Sequence, residues 1–553
     1  MSVKIKIFIG LMISAIILSP SFRKFLKNPA LDQNRIPVKS KISNEKRNLS
    51  HHYPYGGTLV WGVANRPTVI NPILTQTSVS AALLELIFDS LIRIDSNGKI
   101  IPCLASSWEI SEDGKEYIFH LRKGILFHDG VELTSEDVKF TYDQIHDPIN
   151  QSPWRSNTDL VEKWDVIDRY NIKLILKKTF VPALYKLNRE IVPKHLLEGQ
   201  DLNAASFNYS PIGTGPFKFK HWNRQTDQIE LEENPDYFAG RAYLDKIIVK
   251  KYIDNSQLWS ALMRHEVDLV QYINQENYLV LKKDSSFKTY SIDWRMYWAI
   301  AYNLQDSILA APQVRKAIAN GINKQEIINK LSEGGGIESI GPFYPHSVGR
   351  KAGSNLLEYN PVKARLQLLH RGWQDLDGDG ILEKNGRRLK INLLVDSRVI
   401  TNKKMAKMIR QQLAEIGINV EILLYDEEHD LTEKYLKEYH PQAWLRFFQG
   451  EGLDPSVVSE SWYSLSSQIG KIWNYHNLDV DHLFEVGRSE RDKNKRAEIY
   501  RKISEIVYND QPACFLFFPT SLFAINSKFC NTEQYFSRHM PTYTIKDWYI
   551  SNN

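Results

Sequence analysis

The hydrophobic and polar positions between Pro102 and Tyr142 predict a β-hairpin followed by a helix. From Tyr117 to Arg122, large apolar side chains alternate with Ile, His and Arg, which predicts a strand with two unlike faces. Asp113-Gly114 separates this run from the strand-like run that begins at Trp108, and an Asp-Gly pair in that position is a strong hairpin signal. Thr134 then precedes two acidic residues, which is typical of a helix N-terminus.

A second set of hydrophobic patterns predicts another α/β lobe, which begins near Tyr297. Pro312 opens a run whose apolar residues recur with a helical period through Gly321. Leu389–Val395 and Ile418–Leu424 are typical of strands, and Asn402–Ile416 between them has its apolar residues on one helical face. Gly417 suits the end of that helix, because glycine enters the left-handed region at little cost. Strand, helix and strand in this order predict a βαβ unit with parallel strands.

The remaining patterns predict how the chain starts and how it returns. The residues from Gly57 to Gly62 predict an opening strand, and Ala81–Leu91 predicts a helix. Gly213–Phe217 predicts a turn that enters a strand, with two glycines relaxing the backbone. The run from Asp481 to Tyr508 predicts a long helix, after which Pro512–Phe518 returns toward the first lobe. The chain is thus predicted to cross twice between the lobes, so that the first lobe is built from two separate segments.

The composition is that of a soluble globular protein with more than one lobe. The chain has 553 residues, of which 42% are hydrophobic and 24% charged. The net charge of +5 is concentrated at the N-terminus, where residues 23–50 carry eight basic and two acidic side chains. Once residues 1–22, with two Lys, are also set aside, the remainder is slightly acidic. This charge distribution gives no support to a nucleic-acid surface.

The N-terminus has the pattern of an export signal. Lys4 and Lys6 precede an apolar run from Ile7 to Leu18, which is shorter than the roughly 20 residues that a bilayer span needs. No small-x-small cleavage site follows, so residues 1–22 are predicted to be either a signal peptide or an N-terminal anchor. Residues 23–56 are basic and interrupted by prolines, which predicts a flexible linker.

The segment PCLASSWEISEDGKEYIFHLRKGILFHDGVELTSEDVKFTY, together with Gly213-Thr-Gly-Pro-Phe217, closely resembles the family 5 extracellular solute-binding proteins. The resemblance continues along nearly the whole chain after residue 56. It implies an α/β, two-lobed periplasmic-binding-protein-like fold of type II, with the extra subdomain of peptide-binding members and hinged lobes around a ligand cleft. On this basis we expect lobe I at residues 57–296 and 513–553, with the subdomain at about 95–205, and lobe II at 297–512.

The resemblance also implies a function. The chain is expected to bind a short peptide between its lobes outside the cytoplasmic membrane and deliver it to the transmembrane subunits of an ABC permease. It is expected to act as a monomer, without cofactor or metal, and not as an enzyme. The alternatives are a receptor for another solute, such as a nickel chelate or haem, and a membrane-tethered ligand sensor on the same scaffold.

In peptide-binding relatives, a carboxylate three residues before an Asp-Pro pair receives the ligand's amino group, and Glu451 holds that place here. Asp454 is expected to hold its own turn instead. The stretch Thr75-Gln76-Thr77 aligns with the family segment that pairs with the ligand backbone. Upstream of Glu451, the remaining candidates to line the cleft are Trp444, Arg446 and Phe448.

Two other features leave alternatives open. Cys103, Cys514 and Cys530 are expected to be buried small hydrophobes, with a Cys514–Cys530 bridge as the alternative. Asp375–Glu383 resembles the first half of a calcium loop, but Gly386 stands where the bidentate Glu would be needed. An acidic turn is therefore predicted there, with calcium binding as the alternative. The chain has no P-loop, dinucleotide fingerprint, HExxH or G-x-S-x-G motif.

Overall fold

The computed structural model describes residues 55–65, 67–75, 77–332, 335–344, 347, 357–425, 441–450, 452, 454–464 and 474–551. The predicted signal peptide or anchor and all but the last two residues of the predicted linker lie outside these ranges. Within them, no helix combines the length and the apolar character needed to cross a membrane.

Twelve strands form one hydrogen-bonded sheet that runs through both lobes. Ten follow one another in the order Asn419–Tyr425, Lys390–Asp396, Ala443–Gln449, Met296–Tyr302, Ala513–Asn526, Leu269–Gln271, Thr58–Val63, Lys246–Lys251, Gln228–Glu233 and Phe217–Asn223. Two more, Phe287–Asp293 and Gly336–Glu338, pair with Ala513–Asn526 off this path.

The 14-residue strand Ala513–Asn526 joins the two lobes. Its first residues pair with Met296–Tyr302 in the second lobe, and its last residues pair with Leu269–Gln271 in the first. One hydrophobic core includes Leu59, Phe217 and Phe523, whereas two others include Ile318 and Tyr500 and belong to the second lobe. The predicted return of the chain toward the first lobe is therefore made by one continuous strand.

The predicted hairpin is confirmed and forms part of a four-stranded sheet in the order Ala105–Ile110, Glu116–Leu121, Asn171–Leu176 and Val161–Asp168. Gly114 turns it with a φ of 71°, which glycine adopts without steric cost. The helix Ser135–His146 starts at Thr134, whose backbone N–H donates to Asp137 Oδ2 at 2.8 Å. This sheet and helix lie in the predicted subdomain and share the core of the first lobe.

The predicted βαβ unit is also confirmed. Lys390–Asp396 pairs parallel to Asn419–Tyr425, and the helix Ile400–Glu415 connects them. Gly417 follows that helix with a φ of 89°. The predicted apolar face of Pro312–Gly321 is buried, because its apolar residues pack against the second-lobe core.

Three sequence predictions differ from the structure in detail. The first helix runs over Ser78–Ile87, because Thr77 Oγ1 accepts from Ser80 N and sets its start. The long C-terminal helix is two helices, Leu478–Ser489 and Lys493–Asp510, and Asp492 caps the second. All three cysteines are free, which contradicts the alternative of a Cys514–Cys530 bridge, and Cys530 is only partly buried.

Short elements complete the described chain. Three two-stranded sheets pair Ile92–Ile94 with Ile100–Pro102, Glu383–Lys384 with Arg387–Arg388, and Phe529–Cys530 with Tyr549–Ile550. The other α-helices are Arg155–Thr158, Ala183–Lys186, Lys194–Leu197, Asn255–Met263, Gln275–Leu281, Lys324–Ser332, Pro361–Leu369 and Ser459–Trp462. The 3₁₀ helices are Pro148–Asn150, Ser206–Tyr209, Pro455–Val458 and Thr542–Asp547.

Candidate functional site

A cavity of about 610 Å³ lies between the subdomain of the first lobe and the second lobe. Residues between Trp154 and Arg189 form one wall. The other wall is formed by Gly452, Asp454, Ser456, Val457, Ser459 and Arg488. Arg295, at the start of the strand that leads into the second lobe, also lines it. Direct contacts join the two walls: Lys178 Nζ lies 2.9 Å from Glu485 Oε2, and Val181 N donates to the Arg488 carbonyl at 2.8 Å.

The subdomain wall is aromatic and is tied to the predicted backbone-pairing segment. Trp154, Phe180 and Tyr185 line the cavity. The guanidinium of Arg189 lies 3.5 Å from the centre of the Trp154 ring, a cation–π contact. The Trp154 indole Nε1 donates to the Thr75 carbonyl at 3.1 Å. This hydrogen bond places Thr75 directly behind the aromatic wall.

The side chains of Thr75 and Thr77 are engaged within the protein. Thr75 Oγ1 donates to the Val69 carbonyl and accepts from Asn71 N, and the residue is buried. Thr77 caps the following helix. Gln76 lies outside the described residues. A ligand role for this segment, which stays a prediction, would therefore have to use backbone groups rather than the two threonine hydroxyls.

Trp444, Arg446 and Phe448 lie on one strand of the second lobe, Ala443–Gln449. Trp444 and Phe448 are each only 2% exposed and belong to a hydrophobic core. The Arg446 guanidinium lies 4.7 Å from the centre of the Trp444 ring. The structure does not place these three side chains at the cavity, and their ligand role stays a prediction.

The predicted amine anchor, Glu451, lies outside the described residues, but its neighbours Gly452 and Asp454 line the cavity. Asp454 Oδ1 accepts from Ser456 N at 2.9 Å and so caps the short helix Pro455–Val458. Arg496 holds the same carboxylate with two further hydrogen bonds. The prediction that Asp454 holds its own turn is confirmed, and its charge is compensated within the protein.

The cavity has a surplus of positive charge. Lys178, Lys186, Arg189, Arg295 and Arg488 line it, against Asp159 and Asp454. Glu485 accepts from both Lys178 and Arg488, and its single negative charge offsets one of these two positive charges. An anionic group such as a carboxylate is suited to this environment.

Two arginines at the cavity are partly desolvated. Burial lowers the pKa of Arg189, and within the described part of the chain its buried Nε has no hydrogen-bond partner. Burial, and then the nearby charge of Arg538, lower the pKa of Arg295 to about 10, so it remains protonated at neutral pH. Sequence reasoning missed both residues, since no motif marks them. The sequence signal for Arg189 is an Arg-Glu pair directly before the apolar residues Ile191 and Val192.

The predicted acidic turn is present at Asp375–Glu383. The carboxylates of Asp375, Asp377 and Glu383 offer oxygen atoms within 4.8 Å of one another. They also serve their own turn, because Asp375 accepts from Gly378 N and Glu383 accepts from Leu376 N. Calcium binding at this turn stays an alternative prediction.

Comparison with known proteins agrees with this architecture. Residues 99–469 match the family model of the bacterial extracellular solute-binding proteins, family 5 Middle. The chain is 28% identical over 538 residues to the oligopeptide-binding protein AppA of Bacillus subtilis, covering 93% of this chain and 95% of AppA. The structure of AppA with a bound nonapeptide has a TM-score of 0.72 and 25% identity, covering 90% of this chain and 100% of that chain.

Two further solved structures carry different ligands. DppA from Helicobacter pylori, in complex with the peptide STSA, has a TM-score of 0.74 and 26% identity, covering 90% of this chain and 98% of that chain. NikZ from Campylobacter jejuni, in complex with Ni(L-His), has a TM-score of 0.75 and 26% identity. The match covers 89% of this chain and 99% of that chain. Two proteins with a scaffold similar to that of this chain thus bind different ligands, a peptide in one case and a metal chelate in the other.

Proposed function

Because the chain belongs to the bacterial extracellular solute-binding proteins of family 5, we propose that it binds a short peptide between its lobes and delivers it to an ABC permease. Family members are substrate-binding transport proteins rather than enzymes, and they act outside the cytoplasm. The observation that carries the peptide assignment is the cavity of about 610 Å³ between the lobes, which is lined by Gly452, the residue after the predicted amine anchor in the sequence. AppA and DppA, both similar to this chain, support the same ligand class.

The chemistry of the cavity suits a zwitterionic peptide. Its aromatic wall offers apolar contact, and Arg189 and Arg295 suit a carboxylate. Glu451, if it borders the cavity as Gly452 does, supplies the opposite charge for a free amino group. A ligand with both charges would therefore be oriented along the cavity by its two ends.

Release and delivery would depend on the connection between the lobes. Ala513–Asn526 pairs with strands of both lobes, so a rotation between the lobes must be absorbed near its middle. We infer that closure buries the peptide and creates the surface that the permease subunits recognise. We also infer that residues 1–22 direct export, either as a removed signal or as a retained tether.

The ligand class can be tested by mass spectrometry of material that remains bound through gentle purification, followed by thermal-shift measurements. Peptides with free ends should raise the melting temperature, because a ligand at a hundredfold excess over its dissociation constant stabilises the folded state by about 2.7 kcal/mol. Nickel–histidine and haem serve as competing ligands. If nickel–histidine or haem raises the melting temperature and no peptide does, the peptide assignment is wrong. The protein would then be a receptor for a metal chelate or for haem.

The amine anchor can be tested by Glu451→Gln. This change should abolish binding of peptides with free amino ends while the ligand-free melting temperature stays nearly constant, because only the ligand's charge loses its partner. N-acetylated peptides are the matched control, since they lack the charge and should bind wild type and variant equally. Unchanged binding of free peptides to the variant would show that Glu451 is not the anchor.

A further inference from the structure

A second, smaller cavity of about 220 Å³ adjoins the main one. It is lined mainly by polar and charged side chains from three parts of the chain. Glu85, Asp89 and Arg93 come from the first lobe, Asn188 and Glu190 from the subdomain, and His539 from the C-terminal segment. Its volume far exceeds the ~30 Å³ that one water molecule occupies in the liquid, so it has room for a side chain.

Three consecutive residues form part of the partition between the two cavities. Asn188 and Glu190 line the small cavity, whereas Arg189 between them lines the main one. Arg295 lines both. A ligand in the main cavity therefore lies next to the small cavity.

The carboxyl groups around the small cavity differ in how their charges are compensated. Arg93 is held by Asp89 and donates to Tyr237 Oη, so this pair is internally compensated. Glu85 accepts from Thr542 N at 2.7 Å, and burial, then the nearby charge of Glu190, raise the pKa of Glu85 to about 7, so this carboxyl group is only partly ionised at neutral pH. Burial, and then the charges of Arg295 and Arg538, lower the pKa of His539 to about 4, so its ring is neutral at pH 7.

Arg295 is the other basic residue that lines the small cavity. It donates from Nε to the Arg538 carbonyl at 3.1 Å and from Nη2 to His539 Nδ1. Burial raises the pKa of Glu190, and the charge of Arg189, which lines the main cavity, opposes that shift. A basic group that enters the small cavity favours the ionised forms of Glu85 and Glu190, so these two carboxyl groups suit a basic ligand group.

Two acceptors at this cavity lack donors. Among the described residues, the buried Glu190 Oε2 and Asn188 Oδ1 have no hydrogen-bond partner. A buried acceptor left without a donor has lost its hydrogen bonds to water without replacement, which destabilises the empty site. An ammonium has three donors and a guanidinium five, so either group can supply both missing hydrogen bonds.

We propose that the small cavity is a subsite for one basic side chain of the bound peptide, a lysine ammonium or an arginine guanidinium, held by Glu190 and Asn188. This subsite rests on the proposed function, because the rest of the peptide occupies the main cavity. An apolar side chain leaves both acceptors without donors, and a carboxylate side chain supplies only further acceptors. The receptor therefore selects peptides that carry a basic residue at one position.

The test uses tripeptides with free ends that differ at one position, where lysine is replaced by norleucine, which keeps the methylene chain without the charge. Binding is measured calorimetrically for each position on the purified protein. Wild type should prefer lysine at one position by about tenfold or more, as expected for a charged hydrogen bond. Glu190→Gln should remove this preference and leave the affinity for the norleucine peptide within about twofold.

Asp159→Asn is the matched control, because Asp159 lines the main cavity and is not among the residues that line the small one. It should keep the lysine preference. Asn188→Ala provides a second variant if Glu190→Gln fails to fold, and it should weaken the preference without changing norleucine binding.

The outcomes separate the subsite from the proposed function. Peptide binding without a lysine preference at any position overturns the subsite alone. A lysine preference that persists in Glu190→Gln also overturns the subsite. An equal loss of affinity for the lysine and norleucine peptides in that variant overturns it as well. If wild type binds no peptide of either kind, the proposed function fails, and the subsite fails with it.

Discussion

Arg496 donates two hydrogen bonds to Asp454, from Nη1 to Oδ2 at 2.7 Å and from Nη2 to Oδ1 at 2.6 Å, and so forms a bidentate ion pair. Both side chains are largely buried, with 13% and 5% exposure. The pair ties the helix Lys493–Asp510 to the loop that borders the main cavity. Because Asp454 also accepts from Ser456 N, this ion pair holds the turn from Asp454 to Ser456 in place.

Arg496→Ala should therefore destabilise the protein by about 3–5 kcal/mol, since it leaves a buried carboxylate without its counter-charge. The free energy of unfolding of the variant and of wild type is measured by urea denaturation. Arg501→Ala, at an exposed position of the same helix, is the control and should change stability by less than about 0.5 kcal/mol.

The double variant Arg496→Ala/Asp454→Ala, compared with the two single alanine variants, extends this prediction. It should be less destabilised than the sum of the two single variants, because neither charge is then left alone. Strict additivity would show that the two side chains stabilise the protein independently of each other.

The turn at Gly213 and Gly215 needs glycine for lack of space rather than for backbone freedom. Neither residue has a positive φ, which contradicts the sequence-based reason given for these glycines. A Cβ on Gly213 would lie 2.0 Å from the Ile87 carbonyl oxygen, and a Cβ on Gly215 would lie 2.5 Å from Ile87 C. The backbone of the first helix therefore packs directly against this turn.

Gly213→Ala should lower the free energy of unfolding by about 3 kcal/mol. The atom that its Cβ would meet, the Ile87 carbonyl oxygen, belongs to the backbone and cannot move aside easily. The measurement is the shift in urea midpoint at constant m-value. Gly341→Ala is the control, since its Cβ would lie 3.8 Å from Ser504 Oγ and its φ is not positive. If Gly213→Ala lowers the stability no more than Gly341→Ala does, the steric explanation is wrong.

His128 supports the same turn as a neutral ring. Nδ1 accepts from Gly213 N at 3.2 Å, so Nε2 carries the proton and donates to the Gly215 carbonyl at 3.1 Å. Burial is the main cause that lowers its pKa from 6.5 to about 4. The folded protein thus binds fewer protons than the unfolded chain between these values.

The stability contributed by neutral His128 should be complete above pH 6.5 and should be lost as the pH falls toward 4, by about 2–3 kcal/mol. Comparing urea unfolding of wild type and His128→Gln at pH 4–7 isolates this contribution, because glutamine cannot be protonated. His221→Gln, at an exposed position of the strand that follows the turn, should leave the wild-type pH profile unchanged. Identical profiles for wild type and His128→Gln would show that this ring does not control acid stability.

Local signals in the sequence determined a large part of the fold. The Asp113-Gly114 hairpin, the Thr134 cap and the strand–helix–strand unit ending at Tyr425 follow from turn chemistry and periodicity. Each depends on residues close together in the chain, so a short window contains the information. The same windows carry the family resemblance, and the family model match confirms it.

The site depended on information that no short window contains. Periodicity shows that Trp444 and Phe448 share a face of their strand, but only the packed structure shows that this face meets the second-lobe core. The sequence indicated the loop after Glu451 and the segment at Thr75, whereas Trp154, Arg189 and Arg295 were missed.

The physical reason is that a cavity is defined by the walls that meet around it. Here residues near 154–189, 295 and 452–459 come together, and their distances along the chain exceed a hundred residues. Sequence periodicity by itself determined which faces of each element are apolar. Tertiary packing alone decided which element covers each face, and therefore where space and unpaired charge remain for a ligand.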